Sequence, residues 1–175
     1  MRNKALLPLL VIVLVGVVLS HLDLKEDENG TLLLIDNRAV DIKGEVNDIW
    51  TGLRRDCKKI RSLTPNEEDY RQIKRLIQIY SPPSSDSVKL FTVISQQDWI
   101  LAEAEFAELL PAVVLIKSDA SAPYPNLTII PTAIWSGYTK PWKAAPYIRQ
   151  YISHQAPQAP NNLIDCFEPK SLSFK

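Results

Sequence analysis

The hydrophobic pattern of the chain begins with an uninterrupted apolar run. Between Ala5 and Ser20 no residue is charged, and only Ser20 has a polar side chain. A membrane-spanning helix needs about 20 apolar residues, and Leu22 and Leu24 extend the run towards that length. The pattern predicts a transmembrane helix within residues 1–24. The apolar side chains that would form this anchor are those of Leu6, Leu9, Leu10, Ile12, Leu14, Val17 and Leu19.

The charges on either side of the run predict its orientation. Arg2 and Lys4 precede it, whereas Asp23 and residues 26–28 make the following segment acidic. The positive-inside rule places the N-terminus in the cytoplasm and the rest of the chain outside it. A cleaved secretory signal and an uncleaved signal anchor both fit, and the β-branched run favours the anchor. We therefore expect a single-pass inner-membrane protein with lipid as one partner and a periplasmic, extracytoplasmic C-terminal domain.

The first half of that domain has the predicted order β-α-α. The short apolar run Thr31–Asn37 lies between turn residues and predicts a strand. From Asp41 to Ile60, apolar residues recur every three or four positions, which predicts a helix with one apolar stripe. Residues 64–67, Thr-Pro-Asn-Glu, form a capping box that predicts the start of a second helix. That helix ends at a Pro/Ser-rich linker, residues 81–87. The stripe of the first helix consists of Val46, Ile49, Trp50, Leu53, Cys57 and Ile60.

The second half has the predicted order β-α-β-β-α. Pro131 interrupts one predicted strand, which indicates an edge position, a bulge or two short strands. The composition after residue 154 predicts an extended C-terminal tail, residues 155–175, so that residues 25–154 form the domain. The predicted elements are a strand at 88–94, a helix from Ser95 to about Leu110, strands at 112–116 and 126–135, and a helix starting near Pro146.

These elements predict a small layered domain of the α/β or α+β class. Their order from Leu90 to Ile152 resembles the thioredoxin-like fold, in which a strand pair and a closing helix follow a strand-helix unit. Pro111 or Pro131 would occupy the position of that family's cis-proline. The family's C-x-x-C motif is missing, because the strand at 88–94 is followed by Ser-Gln-Gln-Asp. The resemblance therefore implies the fold without the redox chemistry of that family.

The charge of the chain argues against nucleic-acid binding, and its two cysteines suggest a disulfide. The chain has 20 Lys and Arg and 20 Asp and Glu, so its net charge is zero, and it has no basic excess for binding nucleic acid. Its two cysteines, Cys57 and Cys166, are candidates for a disulfide between the first helix and the C-terminal tail. The alternative is two unpaired thiols, with Cys57 packed as a small apolar residue.

No pattern in the sequence predicts catalysis. Only two histidines occur, His21 and His154, and neither has a second ligand or a nucleophile at a useful spacing. No phosphate-binding loop, dinucleotide fingerprint or EF-hand loop is present. Three glutamates, Glu103, Glu105 and Glu108, are expected on the exposed face of the helix predicted after Ser95. We expect no metal, no cofactor and no enzymatic activity.

Aromatic residues are concentrated near the C-terminal end. Six large rings lie between Pro123 and Ile152, interleaved with prolines. Rigid aromatic side chains are frequent in protein interfaces, and Tyr124, Tyr138 and Trp142 fall in predicted loops. We expect these three to bind partner proteins of the membrane or periplasm, with the chain serving as an accessory, scaffold or regulatory subunit of an envelope complex. A tethered redox or assembly protein using both cysteines, and a sensor or lysis-type membrane protein, are the alternatives.

Overall fold

The N-terminal helix, α1, spans Leu6–Ser20 and is followed directly by a strand. Its 15 residues measure about 22 Å at the rise of an α-helix, less than the roughly 30 Å of a hydrocarbon core. Leu22 and Leu24, expected to lengthen it, lie in the strand instead. The computed structural model describes residues 6–27, 29–81, 83–119, 126–137 and 141–174. No helix in these ranges has the length and apolar character needed to cross a membrane.

This finding corrects the prediction made from the apolar run. The expectations of a transmembrane signal anchor and of a single-pass inner-membrane protein with a periplasmic domain are wrong. The anchor side chains that the structure describes, those of Leu9, Leu10, Ile12, Leu14, Val17 and Leu19, lie exposed along α1. Leu6 opens the helix, and its side chain lies outside the described part.

A small antiparallel sheet follows α1. It consists of β1 (Leu22–Asp27), β2 (Gly30–Ile35) and β3 (Arg38–Val40), in that order. Asp36 and Asn37 both have positive φ, 49° and 63°, the requirement of a tight turn that matches strand twist. β2 overlaps the strand predicted at Thr31–Asn37 but ends at Ile35, because Asp36 and Asn37 form the turn. Leu32 of β2 belongs to the main core.

The first predicted helix is shorter than its periodicity indicates. Helix α2 spans Ile42–Gly52, and the Asp41 carboxylate caps it by accepting the N–H of Gly44 at 2.8 Å. Cys57–Lys59 is a separate turn of 3₁₀-helix, and β4 (Arg61–Ser62) follows.

Helix α3 spans Glu68–Tyr80 and starts one turn later than the capping box predicts. Glu67 accepts the N–H of Thr64 with its carboxylate at 2.8 Å, but its own N–H donates to the Thr64 carbonyl. The four residues therefore form a turn before the helix. Ile73 and Ile77, four positions apart, are the buried residues of α3.

The larger sheet is a five-stranded antiparallel meander in the order β4-β5-β6-β7-β8. The expected helix from Ser95 to Leu110 is wrong, because that stretch contains a hairpin turn at Gln97 and a central strand. Since β6 is covered on both faces, its apolar residues do not alternate with polar ones, and their spacing imitates a helix. The four long strands are β5 (Lys89–Gln96), β6 (Trp99–Glu105), β7 (Ala112–Asp119) and β8 (Asn126–Ser136).

This topology also corrects the fold class. The domain is α+β with two antiparallel sheets, and no strand-helix-strand unit with parallel strands occurs among the described residues. The resemblance to the thioredoxin-like fold is therefore wrong, and every described peptide bond is trans. Pro131 lies in the edge strand β8, where the register with β7 shifts between Val114 and Ile116. A proline fits there because no further strand needs its missing N–H.

Helices cover both faces of the larger sheet, and the sheet separates the core into two clusters. Helix α3 packs on one face, through Ile73 and Ile77. The other face carries α4 (Ala144–Gln155) and the short α5 (Asn161–Asp165). Instead of an extended tail, the segment after α4 contributes core residues from α5 onwards: Leu163, Ile164, Phe167 and Phe174 are buried. Cys57 and Cys166 form a disulfide with their Cα atoms 5.7 Å apart, which ties the segment after α2 to this C-terminal region.

Candidate protein-binding surface

One of the three aromatic residues expected to bind partners lies on the described surface. Trp142 precedes α4 and is 70% exposed. Its backbone N–H donates to the carbonyl of Ala39 at 2.8 Å, and the neighbouring Lys143 forms an ion pair with Glu45 of α2 at 2.9 Å. These contacts fix Trp142 beside the first turn of α2. Tyr124 and Tyr138 lie outside the described residues.

The other rings of the aromatic series that the structure describes belong to the core. Trp135 of β8 and Tyr147 of α4 are buried and meet edge to face, with their ring centroids 6.4 Å apart. Tyr151 is half-buried against the same cluster. Their abundance thus reflects the packing of α4 on the sheet, and only Trp142 among the four is available to a partner.

Most of the apolar stripe predicted for the first helix is exposed along α2. Five residues of α2 and its C-cap follow one face of the helix at spacings of four, three, one and three, and all of them are exposed. We call this surface the α2 apolar face; it consists of Ile42, Val46, Ile49, Trp50 and Leu53. Trp50 is 60% exposed and Leu53 is 78% exposed. An amphipathic helix normally turns such a stripe inwards.

Polar contacts explain why α2 is turned the other way. Asp48, on the opposite face, forms an ion pair with Arg149 of α4, whose side chain is only 7% exposed. One turn beyond the helix, Arg55 donates to the carbonyl of Asp165 at 3.0 Å, and the disulfide of Cys57 follows. Because α2 is held to the domain by its charged face and its C-terminal extension, the apolar face is directed to solvent.

The charges that border the α2 apolar face are predominantly positive. Helical spacing places Lys43 and Arg54 along one edge of the face, and Lys58 and Lys59 follow its C-terminal end. Within the described part of the chain none of the four has a carboxylate within ion-pair distance. Glu45 lies on the other edge, where Lys143 neutralises it. Carboxylates of a partner protein could therefore pair with these cations beside the α2 apolar face.

An ionic cluster around the buried Arg149 lies on the opposite side of α2 from this surface. Arg149 donates from Nη2 to the Asp48 carboxylate, and from Nη1 to Glu168 at 2.9 Å and to the Phe167 carbonyl at 2.6 Å. Burial raises the pKa of nearby Asp165, against the opposing effect of Arg149 and Arg55. Through these contacts the cluster orients α2, α4 and the C-terminal segment. No group of three or more potential metal ligands occurs among the described residues.

The glutamates expected on an exposed helix have a different environment. Glu103 is fully buried in β6 and accepts two backbone N–H groups, from Lys170 and Ser171. Glu105 accepts the hydroxyls of Ser171 and Ser173, and these hydrogen bonds lower its pKa. Both carboxylates therefore attach the C-terminal segment to the sheet. Sequence reasoning missed this role because the partners are more than 60 residues away, and only the position of Glu103 within an apolar run hints at it.

The two histidines contribute no catalytic arrangement. His21 Nδ1 lies 2.6 Å from Asp36 Oδ1 on an exposed turn, while the neighbouring Ser20 hydroxyl donates to the carbonyl of Val17. The pair therefore links α1 to the small sheet. His154 is exposed in the last turn of α4.

Comparison of the chain with protein-family models, with curated proteins and with solved structures finds no significant match.

Proposed function

We propose that the protein is a non-enzymatic binding protein, an accessory, scaffold or regulatory subunit that recognises another protein through the α2 apolar face and Trp142. The observation that carries this proposal is the outward orientation of a whole apolar stripe. On the opposite side of α2, the ion pair between Asp48 and the buried Arg149 holds the helix in this orientation. Isolated exposed apolar residues are ordinary, but a contiguous apolar patch of this kind is typical of an interaction site.

The partner that fits this surface presents an apolar groove with carboxylates along one side. A helix that offers apolar residues at spacings of three and four is a common ligand of such grooves. Trp50 lies halfway along the length of the face, on the edge next to Lys43, and large aromatic residues usually contribute most of the binding energy of an interface. Lys43 and Arg54 would meet the carboxylates, and such charges mainly raise the rate of association and the specificity.

A second copy of this chain fits less well. In a two-fold symmetric antiparallel pair, the start of one α2 lies beside the end of the other along the same edge. Lys43 of one copy would then be next to Arg54 of the other. This like-charge contact disfavours self-association and favours a partner of opposite charge.

A photo-crosslinking residue placed at Ile49 of the full-length chain, in the cells that produce it, tests the proposal. We expect one defined adduct with another protein, lost when Trp50→Ala is added and weakened by raising the salt concentration before illumination. The matched control places the same crosslinker at Ile79, which is exposed on α3, and should not give that adduct.

Two outcomes would contradict the proposal. One is that the adduct pattern from Ile49 is the same as that from Ile79, which indicates unspecific contact. The other is an adduct whose mass equals two copies of this chain, which would assign the α2 apolar face to self-association. Urea unfolding of Trp50→Ala serves as the folding control, and we expect little change because its side chain is exposed.

A further inference from the structure

The face of the larger sheet that carries α3 is only partly covered by that helix. Ile73 and Ile77 of α3 belong to the cluster on this face, and the Tyr70 hydroxyl donates to the Leu90 carbonyl of β5 at 3.0 Å. A helix about 10 Å wide covers about two strands spaced roughly 4.8 Å apart. The β7–β8 end of the face is therefore covered not by α3 but by the connection between β6 and β7, residues 106–110. Between this connection and the end of α3 the structure has a cavity of about 340 Å³.

The walls of the cavity are apolar. Ile77, Val114 and Ile129 are buried and form its inner surface, and Phe106 of the connection is half-buried on another side. Tyr80 and Leu110 also line it and are about half exposed, so they mark its opening to solvent. The cavity thus has a closed apolar end and an accessible mouth, the usual form of a small-molecule site.

Polar groups occur only near the mouth. No charged residue is among the described residues that line the cavity. Its polar groups are the hydroxyls of Tyr80, Ser81 and Ser136, all on residues that are partly or fully exposed. A charged ligand group would lose hydration there without gaining a counter-ion. The lining therefore matches an apolar body that ends in an uncharged hydrogen-bonding group.

We propose that this cavity is a binding site for an uncharged small molecule with a hydrocarbon body and one terminal hydroxyl, such as a medium-chain alcohol. With about 30 Å³ for each water-sized group, the cavity holds roughly ten non-hydrogen atoms. The site is independent of the α2 apolar face, because α2 contacts α4, on the other face of the sheet.

Methyl-labelled NMR of the full-length chain, titrated with 1-octanol, tests this assignment. We expect saturable shifts of the methyl signals of Ile77, Val114 and Ile129. Ile49 of the α2 apolar face should not follow the same curve, which distinguishes a site from general adsorption to exposed apolar surface. The substitution Ala112→Leu places a larger side chain in the cavity and should weaken binding by about tenfold.

A second pair of variants keeps the test valid if Ala112→Leu does not fold. Leu110→Asp puts a charge at the mouth, whereas Leu172→Asp makes the same change at a residue that is 82% exposed and does not line the cavity. We expect only Leu110→Asp to weaken octanol binding. Shifts that rise without saturation, shifts confined to α1 and α2, or equal affinities of the two variants would each overturn the proposal.

Discussion

The carboxylate of Glu103 accepts the backbone N–H of Ser171 at 2.9 Å in the interior of the protein. Its other oxygen accepts the N–H of Lys170, also at 2.9 Å. Glu103 lies on the same face of β6 as Trp99 and Leu101, which is the face covered by α4 and α5. A single side chain of the central strand thus fixes the backbone of the C-terminal segment.

Replacing Glu103 with Ala should lower the free energy of unfolding by about 2 kcal/mol, because the buried N–H of Ser171 and the partly buried N–H of Lys170 lose their acceptor. Glu103→Gln keeps one acceptor oxygen and should cost about 1 kcal/mol. Urea unfolding followed by circular dichroism measures both. The role assigned to Glu103 fails if the Ala variant is as stable as the original chain.

Glu105 should make part of the stability depend on pH. Hydrogen bonds from the Ser171 hydroxyl, and next from Ser173, hold the pKa of Glu105 below its ordinary value. Because the folded-state pKa is the lower one, this contribution is fully present above the unfolded pKa of about 4.5 and is lost as the pH falls through the folded value.

The difference in stability between the original chain and Glu105→Gln reports this contribution. We expect the difference to be constant near neutral pH and to shrink progressively below about pH 4.5. The raised pKa of Asp165 has the opposite pH dependence but is common to both chains, so it cancels. A difference that stays constant down to pH 2 would rule out the assigned hydrogen bonds.

The ionic cluster around Arg149 should be more important for stability than any surface ion pair. Arg149→Met removes a buried guanidinium, leaves the Asp48 carboxylate without its partner, and leaves Glu168 only its pair with Arg55. The loss should cost about 2–3 kcal/mol. Arg71→Met removes an exposed pair with Glu68 and is the control, with an expected cost below about 1 kcal/mol. Equal costs in thermal or urea unfolding would show that the cluster does not support the orientation of α2.

The Cys57–Cys166 disulfide should stabilise the fold by restricting the unfolded chain. It closes a loop with a sequence separation of 109 residues, for which chain entropy gives up to about 4–5 kcal/mol, and native proteins typically lose 2–5 kcal/mol when such a bond is removed. The Cys57→Ser, Cys166→Ser double variant should therefore unfold at a lower urea concentration. The original chain under reducing conditions should behave like the double variant, and a large difference between the two would indicate an effect of the substitutions themselves.

Local signals in the sequence were sufficient for several elements. The apolar run between turn residues predicts a strand where β2 lies, and the capping box predicts a helix close to where α3 begins. Pro131 limits its strand to an edge position, a bulge or two short strands, and β8 is an edge strand with a register shift. These features depend on neighbours in the sequence or on a backbone property of one residue.

Tertiary contacts decided the features on which function depends. The stripe of α2 has the period of a core-facing helix, but ion pairs and a disulfide formed with residues more than 100 positions away turn it to solvent. β6 has a helical spacing because it is a central strand buried on both faces. Likewise, α1 has the composition of a spanning segment, but it ends where β1 begins pairing with β2.

The sequence by itself determined which residues are apolar, where the chain turns, and that its charges balance. It did not determine which apolar residues become core and which become surface. Periodicity shows that a face is apolar but not whether another element covers it, and coverage is settled by contacts between distant segments. The α2 apolar face and the cavity beside α3 are therefore properties of the assembled layers, which no local pattern could disclose.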